Sequence, residues 1–166
     1  MEVEKSILTR RSARSFNRRP VNEDDIQAVL KAAVWAPSGL NNQPWRFKVI
    51  RNDIEKDGLA GFTKYAYIIK EAPVSICVFL DKTAVYNREK DIMAIGACIQ
   101  NMLLQAHAMG LGSCWLGEIL NRKEEVREFL KIQPEYELMA VVSFGYPKGK
   151  PPKGSRKKME SFMFEG

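Results

Sequence analysis

Between Asp91 and Met109 the sequence places Ile92, Met93, Ile95, Cys98, Ile99, Met102 and Leu103, with more apolar residues between them, so that a helix here keeps only a thin polar side. A helix apolar nearly all round has to be covered on nearly all sides, and no other stretch restricts the fold as strongly. In a chain of 166 residues two arrangements meet that demand: a central core position or a contact between two subunits. The second is favoured, because obligate homodimer contacts resemble a core cut in half. The length, with 45% hydrophobic residues, predicts one domain over residues 1–166 with a substantial core.

Several function classes are excluded at this level. No run of about 18 apolar residues exists, and the start is charged (Glu2, Glu4, Lys5), which argues against a membrane span or a signal peptide and for a cytoplasmic protein. Cys77, Cys98 and Cys114 are odd in number and far apart, without the close pairs of zinc sites or redox dithiols, and read as buried apolar residues. A single histidine, His107, excludes most metal and triad schemes; its apolar helical surroundings predict a structural or surface role. The net charge of +6 gathers in Arg10, Arg11, Arg14, Arg18 and Arg19, and again from Lys148 to Lys158. Two basic clusters call for anionic company: nucleic acid, a bound phosphate, or merely solvent. Neither cluster interleaves with a stacking platform of the kind that binds RNA, which weighs against nucleic acid.

Along the chain, Glu2–Thr9 has helical spacing with Val3, Ile7 and Leu8 on one side. If Arg10–Arg14 is extended, Arg10, Ser12 and Arg14 project to one face and can grip a phosphate or the carbonyl edge of a heterocycle. Asn22 caps a helix with Ile26, Val29, Leu30 and Ala33 as its buried stripe. Residues 36–45, Ala-Pro-Ser-Gly-Leu-Asn-Asn-Gln-Pro-Trp, connect that helix to a strand over 46–50. Pro37 and Pro44 restrict this loop, while Ser38, Asn41, Asn42 and Gln43 carry donors and acceptors beside Trp35 and Trp45. It suits a flat, heteroatom-rich ligand; it also reads as a helix stop with ordinary turn residues. Residues 52–71 are expected to be helical, 74–80 a strand buried on both faces, and 138–146 a last strand. Gly110–Gly117 fails both nucleotide fingerprints, since Trp115 replaces a glycine and Glu118 a lysine. What remains is a helix C-cap at Gly110, or glycine permitting backbone to approach something flat. Asn121 is expected to cap a helix ending near Leu130. Met159, Phe162, Met163 and Phe164 need apolar cover, so the tail is expected to pack as an arm on this or a partner subunit.

Four of these pieces, Arg10–Phe16, Ala36–Trp45, Gly110–Gly117 and Phe144–Pro147 with a downstream basic residue, occur in an order that resembles the FMN-dependent nitroreductase family in its small form. The resemblance implies an α+β fold, three-layer α/β/α around a central mixed sheet, and an intertwined homodimer with FMN at the subunit interface. It points to Arg10, Arg11, Ser12 and Arg14 for the FMN phosphate, ribityl chain and flavin edge. Pro37, Ser38, Gly39, Asn41 and Gln43 would approach the flavin from the other subunit, and Trp115, Leu116 and Gly117 would cover its far side. Arg156, or else Lys153, would be the late basic residue at the phosphate. No protein side chain is then required as a catalytic acid or base, because the flavin carries the redox chemistry. The implied reaction is ping-pong transfer of hydride from NADH or NADPH through FMN to nitroaromatics, quinones or similar small-molecule acceptors. The resemblance leaves room for a flavin-fragmenting or dehalogenating enzyme of the same fold and for a non-catalytic FMN-storage protein; a basic nucleic-acid-binding module without cofactor ranks last.

Overall fold

The computed structural model describes residues 2–164. Its elements run α1 (Val3–Thr9), α2 (Glu23–Val34), β1 (Trp45–Ile50), α3 (Asp53–Ala60), α4 (Ala66–Glu71), β2 (Val74–Asp81), α5 (Arg88–Ala108), β3 (Gly112–Leu116), α6 (Lys123–Phe129) and β4 (Tyr136–Gly145), with short 3-10 turns at Gly39–Asn41, Glu118–Arg122 and Met159–Phe162.

The sheet has the order β1-β2-β4-β3. Its centre is β2, whose eight residues are all buried. Side chains alternate across a strand, so Ile76, Val78 and Leu80 enter one core while Cys77 and Phe79 enter the other. The first core is roofed by α2 and α5, through Ile26, Val29, Cys98 and Met102. The second is roofed by α3, α4 and α6, through Leu59, Ile68, Ile69 and Val126. Helices thus cover both faces of the sheet, giving the expected α+β, three-layer arrangement. Each such buried side chain contributes about 1.5–3 kcal/mol of apolar transfer. The sheet itself departs from expectation: β1–β2, β2–β4 and β3–β4 are all antiparallel, and among the described residues parallel pairing is limited to a bridge between Ser12 and Ser113. Each named strand meets a neighbour of opposite direction, so the four named strands do not form a mixed sheet.

Local signals account for most element boundaries. Asn22 accepts from Asp25 N at 2.7 Å and opens α2. Asn52 does the same for α3, accepting from Ile54 N at 2.8 Å. The stretch expected to be helical over 52–71 is two helices, because Glu118 reaches in from another element. Its Oε2 accepts from Thr63 Oγ1 at 2.6 Å and from Lys64 N at 3.2 Å, fixing a turn between α3 and α4. Asn121 does not cap α6: it lies inside the 3-10 turn, and Arg122 holds the cap position without a side-chain bond.

The most apolar helix, α5, begins earlier than its apolar pattern, at Arg88, where Asn87 caps it by accepting from Lys90 N at 3.1 Å. One side packs into the first core, while Met93 stays 65% exposed. On α1 it is Ser6 that faces inward, its Oγ donating to Leu104 O of α5 at 3.3 Å; Val3, Ile7 and Leu8 all point outward. Tail residues Met159, Phe162, Met163 and Phe164 are likewise exposed. Among the described residues no helix is long and apolar enough to cross a membrane.

Candidate functional site

After α1 the chain runs alongside β3. Ala13 N donates to Ser113 O at 2.9 Å, Asn17 N to Tyr146 O at 2.8 Å and Lys148 N to Ser15 O at 3.0 Å. The segment after α1 and the loop after β4 are therefore stitched to the same end of the sheet. Close approach depends on Gly112: a Cβ there would lie 2.6 Å from Ala13 Cβ and 3.0 Å from Pro147 Cβ. Between these walls opens a cavity of about 560 Å³, a size ordinary for a cofactor site. Consecutive residues from Arg11 to Ser15 line it, which includes Ser12 and Arg14 of the expected alternating face but not Arg10. A second cavity, of about 180 Å³, is lined by Arg14, Tyr65, Cys114, Trp115, Leu116 and Gly117. Arg14 borders both.

The electrostatics at the first cavity's edge are one-sided. Burial, then the neighbouring charges of Arg11 and Arg156, holds the Arg10 guanidinium below its ordinary pKa. Arg11 donates from Nη1 to Leu8 O at 2.8 Å and Arg10 O at 2.7 Å, while its Nε is buried without an acceptor. The tail lies directly on it, since a Cβ on Gly154 would come within 2.2 Å of that Nε. The positive charges of Arg11 and Arg156 both act on Arg10, and the buried Arg11 Nε–H beside them is a donor without an acceptor, a setting that favours an anion. Of the two late basic residues, Arg156 adds to the positive field on Arg10; both Arg156 and Lys153 are exposed and line neither cavity.

His107 also lines the larger cavity, although its sequence setting predicts a structural or surface role. Thr9 Oγ1 gives its one proton to Lys5 O at 2.5 Å, so at 2.8 Å from His107 Nε2 it must accept, which assigns the neutral ring as the Nε2–H tautomer. Burial, then Arg10 and Arg11, pushes the ring's pKa down. Lys148, Lys150 and Tyr67 complete that wall. The sole histidine standing three residues before a glycine pair was the available signal for this placement.

The loop of Pro37, Ser38, Gly39, Asn41 and Gln43 stands apart, lining neither cavity. It rests against the start of α5, where the Tyr86 ring leaves no room for a Cβ on Gly39. Leu40, Asn41 and Gln43 are all left-handed, with φ of 54°, 55° and 48°, a conformation costly for side chains other than glycine and asparagine.

The three cysteines are free and buried; burial pushes the Cys77 and Cys98 thiols up to about 12, which makes them inert. Among the described residues no group of three or more His, Cys, Asp or Glu is arranged to hold a metal.

Comparison with known proteins places these features in a family. A model described as the nitroreductase family matches residues 7–66 and 59–146. A protein of Archaeoglobus fulgidus, provisionally named an NADH dehydrogenase/NAD(P)H nitroreductase, is 38% identical over 152 residues, covering 89% of this chain and 86% of that protein. The iodotyrosine deiodinase of Thermotoga neapolitana is 30% identical over 172 residues, covering 89% of each. Among solved structures, a provisionally named nitroreductase from Desulfovibrio desulfuricans in complex with FMN superposes with a TM-score of 0.96 at 42% identity, over 100% of this chain and 97% of that one.

Proposed function

The chain belongs to the nitroreductase family, and from that premise we propose that it is an FMN-dependent oxidoreductase using NADH or NADPH, working as a homodimer. The observation that carries the reading is Arg11, which lines the 560 Å³ cavity with its Nε buried and without an acceptor, in a positive field to which Arg10 and Arg156 add. A phosphate monoester is the ligand such a setting fits, because guanidinium forks match its oxygens in pairs.

The residues present fit FMN. Arg10, Arg11, Ser12 and Arg156 would hold its phosphate, and Arg14, bordering both cavities, would supply the cation at the flavin edge. Trp115, Leu116 and Gly117 line the smaller cavity, which suits them to cover the ring's far side. Lys153 is retained only as a peripheral contribution to the positive field. The chemistry that FMN supplies when bound is transfer of hydride from NADH or NADPH onward to a nitroaromatic, quinone or similar acceptor, in ping-pong order. This chain's part is to anchor the phosphate, orient the ring and balance negative charge at its edge.

The homodimer reading rests on exposed apolar groups that need cover: the outward side of α1, Met93 on α5, Leu40, and the Met159–Phe164 tail. A second subunit would bring Pro37, Ser38, Gly39, Asn41 and Gln43 to the flavin, which explains why they line no cavity of their own subunit.

A second reading, reductive dehalogenation on the same cofactor, is supported by the 30% identity to the deiodinase. The two separate by acceptor: anaerobically reduced protein should be reoxidised rapidly by a nitroaromatic or quinone, whereas halide release from an iodinated phenol would favour the second.

A further inference from the structure

Asp91 is completely buried at the start of α5, and none of the donors it meets is a cation. Its Oδ2 accepts from Tyr86 N and Asn87 N, both at 3.1 Å. Its Oδ1 accepts from Asn42 Nδ2 at 2.7 Å. A carboxylate taken out of water persists only where such donors replace its hydration, and the positive end of α5 adds to them. The helix does not need Asp91 as its cap, because Asn87 already fills that role.

Asn42 is the other half of the arrangement. Both protons of its amide are committed, one to Asp91 and one to Ala84 O at 3.0 Å, which fixes the amide's orientation and leaves Oδ1 buried without a partner. At the loop's end Arg46 of β1 donates from Nη1 to Gln43 O at 3.4 Å, and the other bonds are internal: Asn41 N to Ser38 O, Asn42 N to Gly39 O, Gln43 N to Ser38 Oγ and Gln43 Nε2 to Asn41 O. The internal bonds shape the turn without tying it to the body of the protein. Packing reaches it at Gly39, against the Tyr86 ring, but leaves Leu40 85% exposed. A loop with three left-handed non-glycine residues in four positions relaxes unless something outside it fixes the geometry. Among the loop's own side chains, Asn42 is the one bonded outside it, to Asp91 and to Ala84 O.

We infer that Asp91 is a positioning residue: through Asn42 it locks the 38–43 loop in the strained form that presents Asn41 and Gln43 to the flavin held by a second subunit. This rests on the cofactor and dimer reading above. It assigns a purpose to a buried carboxylate that takes no part in binding an anion or in the core.

The test uses Asn42→Ala, Asp91→Asn and, as a control for simple helix capping, Asn87→Ala. In Asp91→Asn one amide cannot accept on both sides, so either Asn42 or the 86–87 turn loses its acceptor. Two quantities are read: FMN dissociation constant by fluorescence titration, and hydrogen exchange of the 39–43 amides in the FMN-free protein. Asn42→Ala and Asp91→Asn should each weaken FMN binding at least tenfold and accelerate loop exchange at least tenfold. Asn87→Ala should lower the melting temperature while changing neither. FMN affinity and loop exchange both at wild-type values in Asn42→Ala would overturn the assignment, and that variant leaves the α5 contacts of Asp91 intact. If the wild-type protein takes up no FMN, the cofactor reading has failed, and loop exchange alone still decides whether Asp91 holds the loop.

Discussion

Replacing Arg10 with alanine should move stability and cofactor affinity in opposite directions. In the free protein the Arg10 guanidinium is partly buried, and the like charges of Arg11 and Arg156 outweigh the opposing influence of Cys114. Removing it relieves desolvation and repulsion, so the free protein should melt at the same temperature as wild type or higher. The FMN complex loses a charge-assisted bond to phosphate, worth about 1.5–3 kcal/mol. At 1.4 kcal/mol per decade this predicts an FMN dissociation constant raised roughly 10- to 150-fold. Fluorescence titration at several salt concentrations gives the constant, and the variant should show a shallower salt dependence, having one fewer cation to screen. Adding Arg14→Ala should weaken binding further. A free protein destabilised by the substitution, with FMN affinity unchanged in the double variant, would refute the argument that these arginines form an anion site.

Other consequences follow from individual contacts. Glu137, held by Arg88 at 2.8 Å and by Lys123 at 2.6 Å, has its carboxyl pKa depressed from 4.5 to about 2. Its stabilisation is therefore fully present above pH 4.5 and lost as the pH falls toward 2, so Glu137→Gln should flatten the acid limb of the stability curve in that window. Gly112→Ala puts a Cβ against Ala13 and Pro147, neither of which has a flexible end to move, and should lower stability by about 1–3 kcal/mol in thermal melts. His107, the sole histidine, should titrate below 6.5 in the free protein and shift upward when FMN binds, because a phosphate dianion offsets Arg10 and Arg11; NMR of its ring protons would show both.

Much of this architecture was legible in the chain because its causes are local. Asn22 and the Ile26–Ala33 stripe declare α2, and an unbroken apolar run declares β2 as a strand buried on both faces. The structure departs from the local pattern where a distant residue decides a local outcome. Glu118 splits the 52–71 stretch through a bond to Thr63, 55 residues away, and nothing near Thr63 announces it. Asn121 resembles a cap only because the 3-10 turn that absorbs it has no sequence signature of its own. The site shows the same division. Arg11, Ser12 and Arg14 of the basic motif and Gly110, Gly112 and Gly117 of the glycine-rich one line the two cavities. By contrast, Asp91 reads in sequence as part of a thin polar side of an apolar helix, yet it is fully buried and bonded to Asn42, 49 positions earlier. Residues such as Val3, Ile7 and Leu8 have the spacing of a helical stripe but face outward.

The most direct test of the central claim is an anaerobic absorption spectrum of the purified protein with FMN, before and after NADH or NADPH is added to the same cuvette. The account predicts protein-bound flavin bands that bleach with one or both nucleotides and return when a nitroaromatic or quinone is introduced. Absence of bound flavin at any FMN concentration would contradict it.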